Sequence, residues 1–90
     1  MKHNRTDVLI ALKKAKSLLE KIISMAEADA YCIDIMQQNL AVIGLLRSAH
    51  QKLMEDHLQS CFSDAIGSKN KLKKKKMINE ILKVTKLYNK

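Results

Sequence analysis

Residues 31–62 read YCIDIMQQNLAVIGLLRSAHQKLMEDHLQSCF, and this stretch decides the fold. It has no proline and a single glycine, so little in it interrupts a helix. Its apolar residues recur every three or four positions, as on one side of an α-helix, and they are Ile33, Met36, Leu40, Ile43, Leu46, Ala49, Leu53, Met54 and Leu58. A helix of about 30 residues is about 45 Å long, which is more than a small chain can bury alone. We therefore expect this apolar stripe to pack against a partner helix.

The composition of the whole chain also favours helices. It has 90 residues, of which 47% are hydrophobic but only 3% aromatic, with no Trp and no proline. The core must therefore be aliphatic, a composition typical of helices rather than strands. We expect one domain spanning 1–90, close to the size at which a single core is only marginally stable. A small helical chain of this kind usually gains stability by associating with further copies of itself.

Two further helices are expected around the central one. Residues 6–28 carry an apolar stripe of their own, made of Val8, Leu9, Leu12, Ala15, Leu19, Ile22, Ile23 and Ala26. Asp29 is the expected cap of the central helix, which we place at 30–64. A short third helix follows at 72–88. The prediction is an all-α, three-helix protomer with a long central helix.

The chain is strongly basic, with a formal net charge of +8 and a pI of about 9.7. One interpretation is a solvated, lysine-rich surface. The other is an electrostatic surface for nucleic acid or for an anionic membrane. The densest run, KNKLKKKK at residues 69–76, is interpreted as a solvated turn or helix start.

Several classes of protein do not fit the sequence. No stretch approaches the roughly 20 apolar residues of a membrane span, and no signal peptide opens the chain. We expect a cytoplasmic protein without a membrane partner, in which cysteines are reduced thiols. The sequence has no zinc-finger CxxC pair, glycine-rich phosphate loop or Ser/His/Asp constellation, so we do not expect an enzyme.

Candidate metal ligands stand at both ends of the central helix. Cys32 and His57 are 25 residues apart, which on one helix is roughly 37 Å but nearly the same face. Cys61 lies one turn beyond His57. Taken singly, each cysteine is most often a small buried hydrophobe, and a histidine beside acidic neighbours is most often a surface residue. His3 and His50 are weaker candidates.

Taken together, the three residues predict a site shared by two chains. An antiparallel pair of central helices would set Cys32 of one chain beside His57 and Cys61 of the other, twice per dimer. Closed zinc sites normally have four ligands. Two thiolates and one imidazole make only three soft ligands, a set that favours Cu(I).

The segments around these residues resemble the CsoR/RcnR family of small, all-helical, metal- and thiol-sensing repressors. The matching segments are DAYCID at residues 29–34 and DHLQSCF at residues 56–62, with QQ at 37–38, AV at 41–42 and INEIL at 78–82. The likeness covers roughly residues 8–88. The order Cys, His, Cys is that of the copper-responsive branch of the family.

The resemblance implies an assembly and a function. Two antiparallel protomers would form a four-helix-bundle dimer, and two dimers a tetramer, with Cu(I) bound by Cys32 of one chain and by His57 and Cys61 of the other. Tyr31 and Glu80 would orient these ligands. Without that role, Tyr31 is a half-buried tyrosine at the helix start and Glu80 a solvent-facing charge. The implied function is a repressor that binds double-stranded operator DNA and releases it when Cu(I) binds.

The sequence departs from the family pattern at positions of the first helix that are used for DNA binding. The family's first helix usually bears an arginine near its start and an Arg-Gly-Gln or Arg-Gly-His segment, where this chain has Ala11 and Lys16-Ser17-Leu18. Lysine binds phosphate as a point charge but lacks the guanidinium fork that reads guanine. We expect the DNA contacts to come from lysines of the first helix, which are Lys13, Lys14, Lys16 and Lys21.

Two alternatives stay open. In a persulfide- or thiol-sensing repressor of the same family, Cys32 would be linked to Cys61 of the partner, although that branch lacks the histidine at position 57. In a copper-binding helical protein that has lost DNA binding, the metal site would remain without an operator.

Overall fold

The computed structural model describes residues 5–90, except for the side chains of Cys61 and Phe62, and within that part the chain is helical without strands. The helices are α1 (Thr6–Glu27), α2 (Cys32–Asp56), a π-helical segment (His57–Phe62), α3 (Ser63–Gly67) and α4 (Lys71–Tyr88). Residues 32–67 are continuously helical, so α2, the π-helical segment and α3 together form the predicted long central helix. The all-α, three-helix prediction is confirmed, and every helix end lies within three residues of its expected position.

Residue contacts divide the chain into two compact units, one ending at Met54 and the other spanning Glu55–Lys90. We call them the first unit and the second unit.

The first unit is an antiparallel pair of helices, α1 and the greater part of α2. Near the start of α1, Val8 and Ala11 pack against Ala49 and Leu53 from the far part of α2. Further along α1, a second cluster joins it to the near part of α2; it contains Ala15, Leu18, Ile22, Ile35, Val42 and Leu45. Small alanines at these contacts let the two helices approach closely. This packing fixes which side of each helix is left uncovered.

The turn between α1 and α2 corrects the predicted cap. Asp29 has a φ of 55°, in the left-handed region that aspartate tolerates better than most residues. The backbone N–H of Ala30 donates to the carbonyl of Met25 at 2.9 Å, which closes the end of α1. The carbonyl of Tyr31 accepts the first bonds of α2, from Asp34 at 3.0 Å and Ile35 at 3.2 Å. Asp29 is therefore a turn residue, and the expectation that it caps the central helix is wrong.

The predicted apolar stripe of the central helix divides between two sides. Ala49 and Leu53 pack against α1 within the same chain. A row on another side is exposed, namely Ile33 at 45%, Met36 at 57%, Leu40 at 65% and Ile43 at 40%. We call these four residues the exposed α2 row. The expectation that the whole stripe meets a partner helix is wrong for Ala49 and Leu53, whereas the exposed α2 row is uncovered in the single chain.

The second unit contains the π-helical segment, α3 and α4. Within it α3 continues the π-helical segment and contacts α4, and Ala65 of α3 is completely buried. The side chain of Asn70 caps α4, since its Oδ1 accepts from the backbone N–H groups of Leu72 and Lys73 at 3.1 Å each. No residue of α4 is fully buried. The run that we interpreted as a turn or helix start therefore contains the capped beginning of a surface helix.

Across the described residues, every helix is too short or too polar to cross a membrane.

Candidate metal centre

Cys32 is the first residue of α2 and belongs to the first unit. It is exposed, and its thiol is not part of a disulfide. Helical spacing puts it on the same side as Met36, four residues later in the exposed α2 row. The common interpretation of a lone cysteine, a small hydrophobe buried in its own chain, therefore does not fit Cys32. An exposed thiol on an apolar, uncovered side can serve as a ligand to a metal ion shared with another molecule.

His57 stands at the other end of the long helix, where the α-helical pattern changes. It is half-buried and begins the π-helical segment, whose hydrogen bonds run from residue i to i+5. The backbone of Cys61 lies in the same segment, but its side chain is outside the described residues. A separation of four residues is close to one turn of an α- or a π-helix, so backbone positions 57 and 61 lie on the same side of the helix. Chelation of one ion by His57 and Cys61 stays a prediction, and the backbone positions of the two residues are compatible with it.

Two serines stabilise the π-helical segment. The Ser60 hydroxyl donates to the carbonyl of Asp56 at 2.5 Å, and the Ser63 hydroxyl donates to the carbonyl of Leu58 at 2.7 Å. Serine hydroxyls that bond back to carbonyls in the preceding turn compete with regular α-helical bonding. The sequence interpretation missed this feature. Its signal was a pair of serines three residues apart within an otherwise regular helical pattern.

Asp56 is a second residue that the sequence interpretation missed at this place. Its Oδ2 is buried and has no hydrogen-bond partner within the described part of the chain. A buried carboxylate oxygen without a donor costs about 1–3 kcal/mol or more. It directly precedes His57, so an unsatisfied negative group stands beside a candidate ligand. A partner chain or a cation at this place would satisfy it.

The described residues of one chain do not contain a complete metal site. No group of three histidine, cysteine, aspartate or glutamate side chains lies close enough to hold an ion there. Cys32 lies in the first unit and His57 in the second. The donor types nevertheless fit a soft ion, with an exposed thiol at one end of the helix and a half-buried imidazole at the other.

The two residues expected to orient the ligands are both at the surface. Tyr31 is 70% exposed in the turn before α2, so it is not the half-buried tyrosine of the alternative interpretation. Glu80 is exposed on α4, between Lys76 and Lys83 on the same shallow surface. Neither side chain is held by a described hydrogen bond. Their ligand-orienting roles stay predictions.

The four lysines predicted to bind DNA do not all lie together. Lys13, Lys14 and Lys21 line one shallow depression on α1 with Ser17 between them. Lys16 is exposed but is outside that group. Helical spacing instead places it beside exposed apolar residues of α1, which are Leu12 and Leu19.

The positions at which the chain departs from the family pattern have a structural explanation. Ala11 is only 8% exposed and packs with Val8 and Ala49 between α1 and α2. Leu18 packs against the second cluster of the same interface. Two of the departures therefore serve the packing of the first unit.

Comparisons with known proteins agree with the resemblance drawn from the sequence. A family model described as metal-sensitive transcriptional repressor matches residues 4–86. The copper-sensing transcriptional repressor CsoR of Mycobacterium ulcerans (strain Agy99) is 43% identical over 70 residues, covering 73% of this chain and 60% of that protein. The copper-sensing transcriptional repressor CsoR of Bacillus subtilis (strain 168) is 35% identical over 79 residues, covering 88% of this chain and 75% of that protein.

A third relative is the copper-sensing transcriptional repressor RicR of Mycobacterium tuberculosis (strain ATCC 25618 / H37Rv), 36% identical over 56 residues, covering 62% of this chain and 58% of that protein. The match therefore spans about 60% of the mycobacterial relatives named here. No solved structure gave a significant match. Since the family model covers nearly the whole chain, the protein belongs to the family of metal-sensitive transcriptional repressors.

Proposed function

We propose that this protein is a cytoplasmic, Cu(I)-responsive transcriptional repressor that binds operator DNA and releases it when Cu(I) binds between two chains. One observation carries the proposal: Cys32 is a free, exposed thiol in a chain of this family, whose copper-sensing relatives are 35–43% identical. The function is regulatory rather than catalytic.

The proposed ligands are Cys32 of one chain and His57 and Cys61 of another. Two thiolates and one imidazole form a soft set of three, which suits Cu(I) better than the closed, four-coordinate sites of zinc. Asp56 supports the same location, because its buried Oδ2 has no donor within the described chain. When bound, the metal would supply a link between α2 of one protomer and the π-helical segment of its neighbour.

Sharing the site requires an association of chains, and the first unit offers a surface for it. The exposed α2 row presents four large apolar side chains on the side that also carries Cys32. Burial of such side chains is the main favourable term in protein association. We propose an antiparallel dimer across this row, and a tetramer of two such dimers, as the functional assembly.

The effect of Cu(I) on DNA must come from a change of conformation. Two thiolates, one neutral imidazole and Cu(I) sum to a charge of about −1, which is too small to cancel a basic DNA-binding surface. A coupling of about 3 kcal/mol would lower DNA affinity about 150-fold, and DNA would weaken Cu(I) binding by the same factor. The irregular hydrogen bonding of residues 57–62 makes this segment the place where such a change can begin.

The test is fluorescence anisotropy of a duplex from the region upstream of the gene, titrated with reduced protein with and without Cu(I) under anaerobic conditions. We expect binding by the metal-free protein and a loss of affinity of about 150-fold with Cu(I). Tight binding that is indifferent to Cu(I) would contradict the proposal.

An exposed free thiol also fits the persulfide-sensing alternative. Mass spectrometry without reductant, after persulfide treatment, separates the two functions. A covalent link between Cys32 and the partner's Cys61 that releases DNA without Cu(I) would favour the thiol sensor. If metal-free protein binds Cu(I) but no duplex at low salt, the copper-binding protein without an operator is the better description.

A further inference from the structure

The whole net positive charge of the chain lies in its last 22 residues. Residues 69–90 contain nine lysines and one glutamate, which gives +8, the net charge of the entire protein. Residues 1–68 contain eight basic and eight acidic residues, which cancel. Helix α1, in which the DNA-binding lysines were expected, contains four lysines and three acidic residues. The electrostatic attraction of this protein for a polyanion is therefore centred on α4.

Four exposed lysines of α4 lie on one side of the helix. Lys75, Lys76 and Lys83 line one shallow depression, together with Leu72, Asn79 and Glu80. Lys86 lies one turn beyond Lys83, on the same side of the helix. We call Lys75, Lys76, Lys83 and Lys86 the α4 lysine surface. It extends over 12 residues, from Lys75 to Lys86, which is about 16 Å along the helix axis.

Helix α4 has seven lysines and one acidic residue, Glu80, which lies between Lys76 and Lys83. The ion pair between Asp7 and Lys52 joins α1 and α2 and lies outside α4. The first turn of α4 contains no acidic residue, although Lys71, Lys73 and Lys74 stand where the helix dipole is positive. Lys71 and Lys75, four residues apart, add a like-charge pair on one side. An anionic partner would relieve this repulsion.

We propose that the α4 lysine surface binds the phosphate backbone of duplex DNA and supplies the larger, sequence-independent part of the protein's DNA affinity. The proposal rests on the proposed function, because it assumes that the protein is a DNA-binding repressor. A duplex about 16 Å long carries about ten phosphates, more than enough for four lysines. Lysine binds phosphate without reading bases, so this surface adds affinity and salt dependence rather than specificity.

An anionic membrane is the competing partner for α4, because this basic helix also exposes apolar side chains. A helix that lies on a membrane inserts its apolar side into the lipid. In α4, Met77 and Ile81 are half-buried, whereas Leu72, Leu82 and Leu87 are 81%, 61% and 56% exposed. Both the lysines and these apolar side chains are exposed, so the choice of duplex DNA rests on the family, which is described as metal-sensitive transcriptional repressor. Duplex DNA needs only these charges, not the apolar side.

The test compares two variants that remove equal charge from two helices. One variant is Lys75→Gln/Lys76→Gln/Lys83→Gln in α4, and the matched one is Lys13→Gln/Lys14→Gln/Lys21→Gln in α1. Affinity for the upstream duplex and for an unrelated duplex is measured from about 50 to 200 mM salt, the range over which phosphate contacts show their salt dependence. Circular dichroism, oligomeric state and Cu(I) affinity verify that each variant is folded.

We expect the α4 variant to lose at least about tenfold in affinity for both duplexes, with a salt slope smaller by about 1 for each contact removed. We expect a smaller loss from the α1 variant. The charge-conserving variant Lys75→Arg/Lys76→Arg/Lys83→Arg should bind like the wild type, because the positive charge is retained. An α4 variant with the affinity and salt slope of the wild type would overturn the proposal.

The failure of this proposal is distinguishable from the failure of the proposed function. If the wild type binds neither duplex at low salt, the repressor function itself is wrong, and the α4 assignment with it. If the wild type binds DNA and the α4 variant binds equally well, only the α4 assignment is wrong. Loss of binding to phosphatidylserine vesicles by the α4 variant, with DNA binding unchanged, would assign the surface to a membrane instead.

Discussion

The two units of the chain differ in almost every property that matters for sensing. The first unit is a regular pair of α-helices with alanine-lined packing, an exposed apolar row and the free thiol of Cys32. The second unit contains a π-helical segment, His57 and the lysine-rich α4. Within the described residues, neither unit contains a complete metal site. We propose a division of roles, in which the first unit joins chains and the second carries most of the metal ligands and the charge for DNA.

The largest expected effect is the loss of Cu(I) affinity when a proposed ligand is removed from either unit. Cys32→Ala and His57→Ala should each weaken Cu(I) binding by at least about 1000-fold. Mutating a residue that only hydrogen-bonds to a metal ligand already lowers metal affinity about 10–100-fold, and removing a ligand should cost more. The measurement is a competition titration of reduced protein against a Cu(I) chelator.

His50→Ala is the matched control, because His50 is a half-buried histidine of α2 in the first unit. Its Cu(I) affinity should stay within a few-fold of the wild type. An equal loss from His50→Ala would mean that the assignment of His57 is wrong.

The next largest effect concerns the exposed α2 row of the first unit. Leu40→Glu should weaken association of the chains by about 100-fold, because it replaces apolar contact with a carboxylate that would be buried without a partner. Analytical ultracentrifugation measures the dissociation constant. Tight Cu(I) binding should be lost together with the dimer.

Lys14→Glu supplies the control for that change, since Lys14 is exposed on α1 in the group lining the shallow depression. It should leave association unchanged. A Leu40→Glu protein that still dimerises and binds Cu(I) tightly would place the interface elsewhere.

A smaller effect is expected where α1 and α2 pack. Ala49 is 2% exposed and contacts the start of α1, so Ala49→Leu should overpack this contact and lower the free energy of unfolding by about 1–3 kcal/mol. Urea denaturation provides the measurement. Ala41→Leu, at an exposed position of α2, is the control and should change stability little. Equal effects from both variants would contradict the packing described for the first unit.

The smallest expected effect is a change in stability caused by the charges at the start of α4, in the second unit. Lys71→Glu should raise the stability of the DNA-free protein by about 0.3–1 kcal/mol at low salt, because it places a negative charge at the positive end of α4. The gain should shrink at high salt, which screens exposed charges. Lys90→Glu, beyond the last turn of α4, should not stabilise the protein in this way. Denaturation midpoints at low and high salt test both changes.

The sequence was a reliable guide to the helices and to the family, because periodicity and the two cysteine-containing segments are local signals. It could not show that Ala49 and Leu53 face α1 while Leu40 does not, since a stripe that fits one helix does not reveal which neighbour covers it. The cap assigned to Asp29 was wrong because aspartate suits a left-handed turn as well as a helix start.

The site was predicted less completely than the fold. The ligand set followed from Cys32, His57 and Cys61, and it stays a prediction. The π-helical segment could not be predicted, since it depends on which backbone carbonyls accept hydrogen bonds from the Ser60 and Ser63 hydroxyls in the folded helix. The basic surface was sought on α1 because of the family resemblance, whereas the count of charges along the chain, available from the beginning, places it on α4.

The central claim is that one metal site is built from two chains, and mixed oligomers test it most directly. Chains with Cys32→Ala and chains with His57→Ala/Cys61→Ala each lack a complete site when alone. Unfolded together and refolded at equal amounts, they should regain about one tightly bound Cu(I) per four chains, because half of the dimers contain one intact site. The wild type should bind about one per chain. No recovery of tight Cu(I) binding in the mixture, with mixed oligomers confirmed by native mass spectrometry, would contradict the shared site.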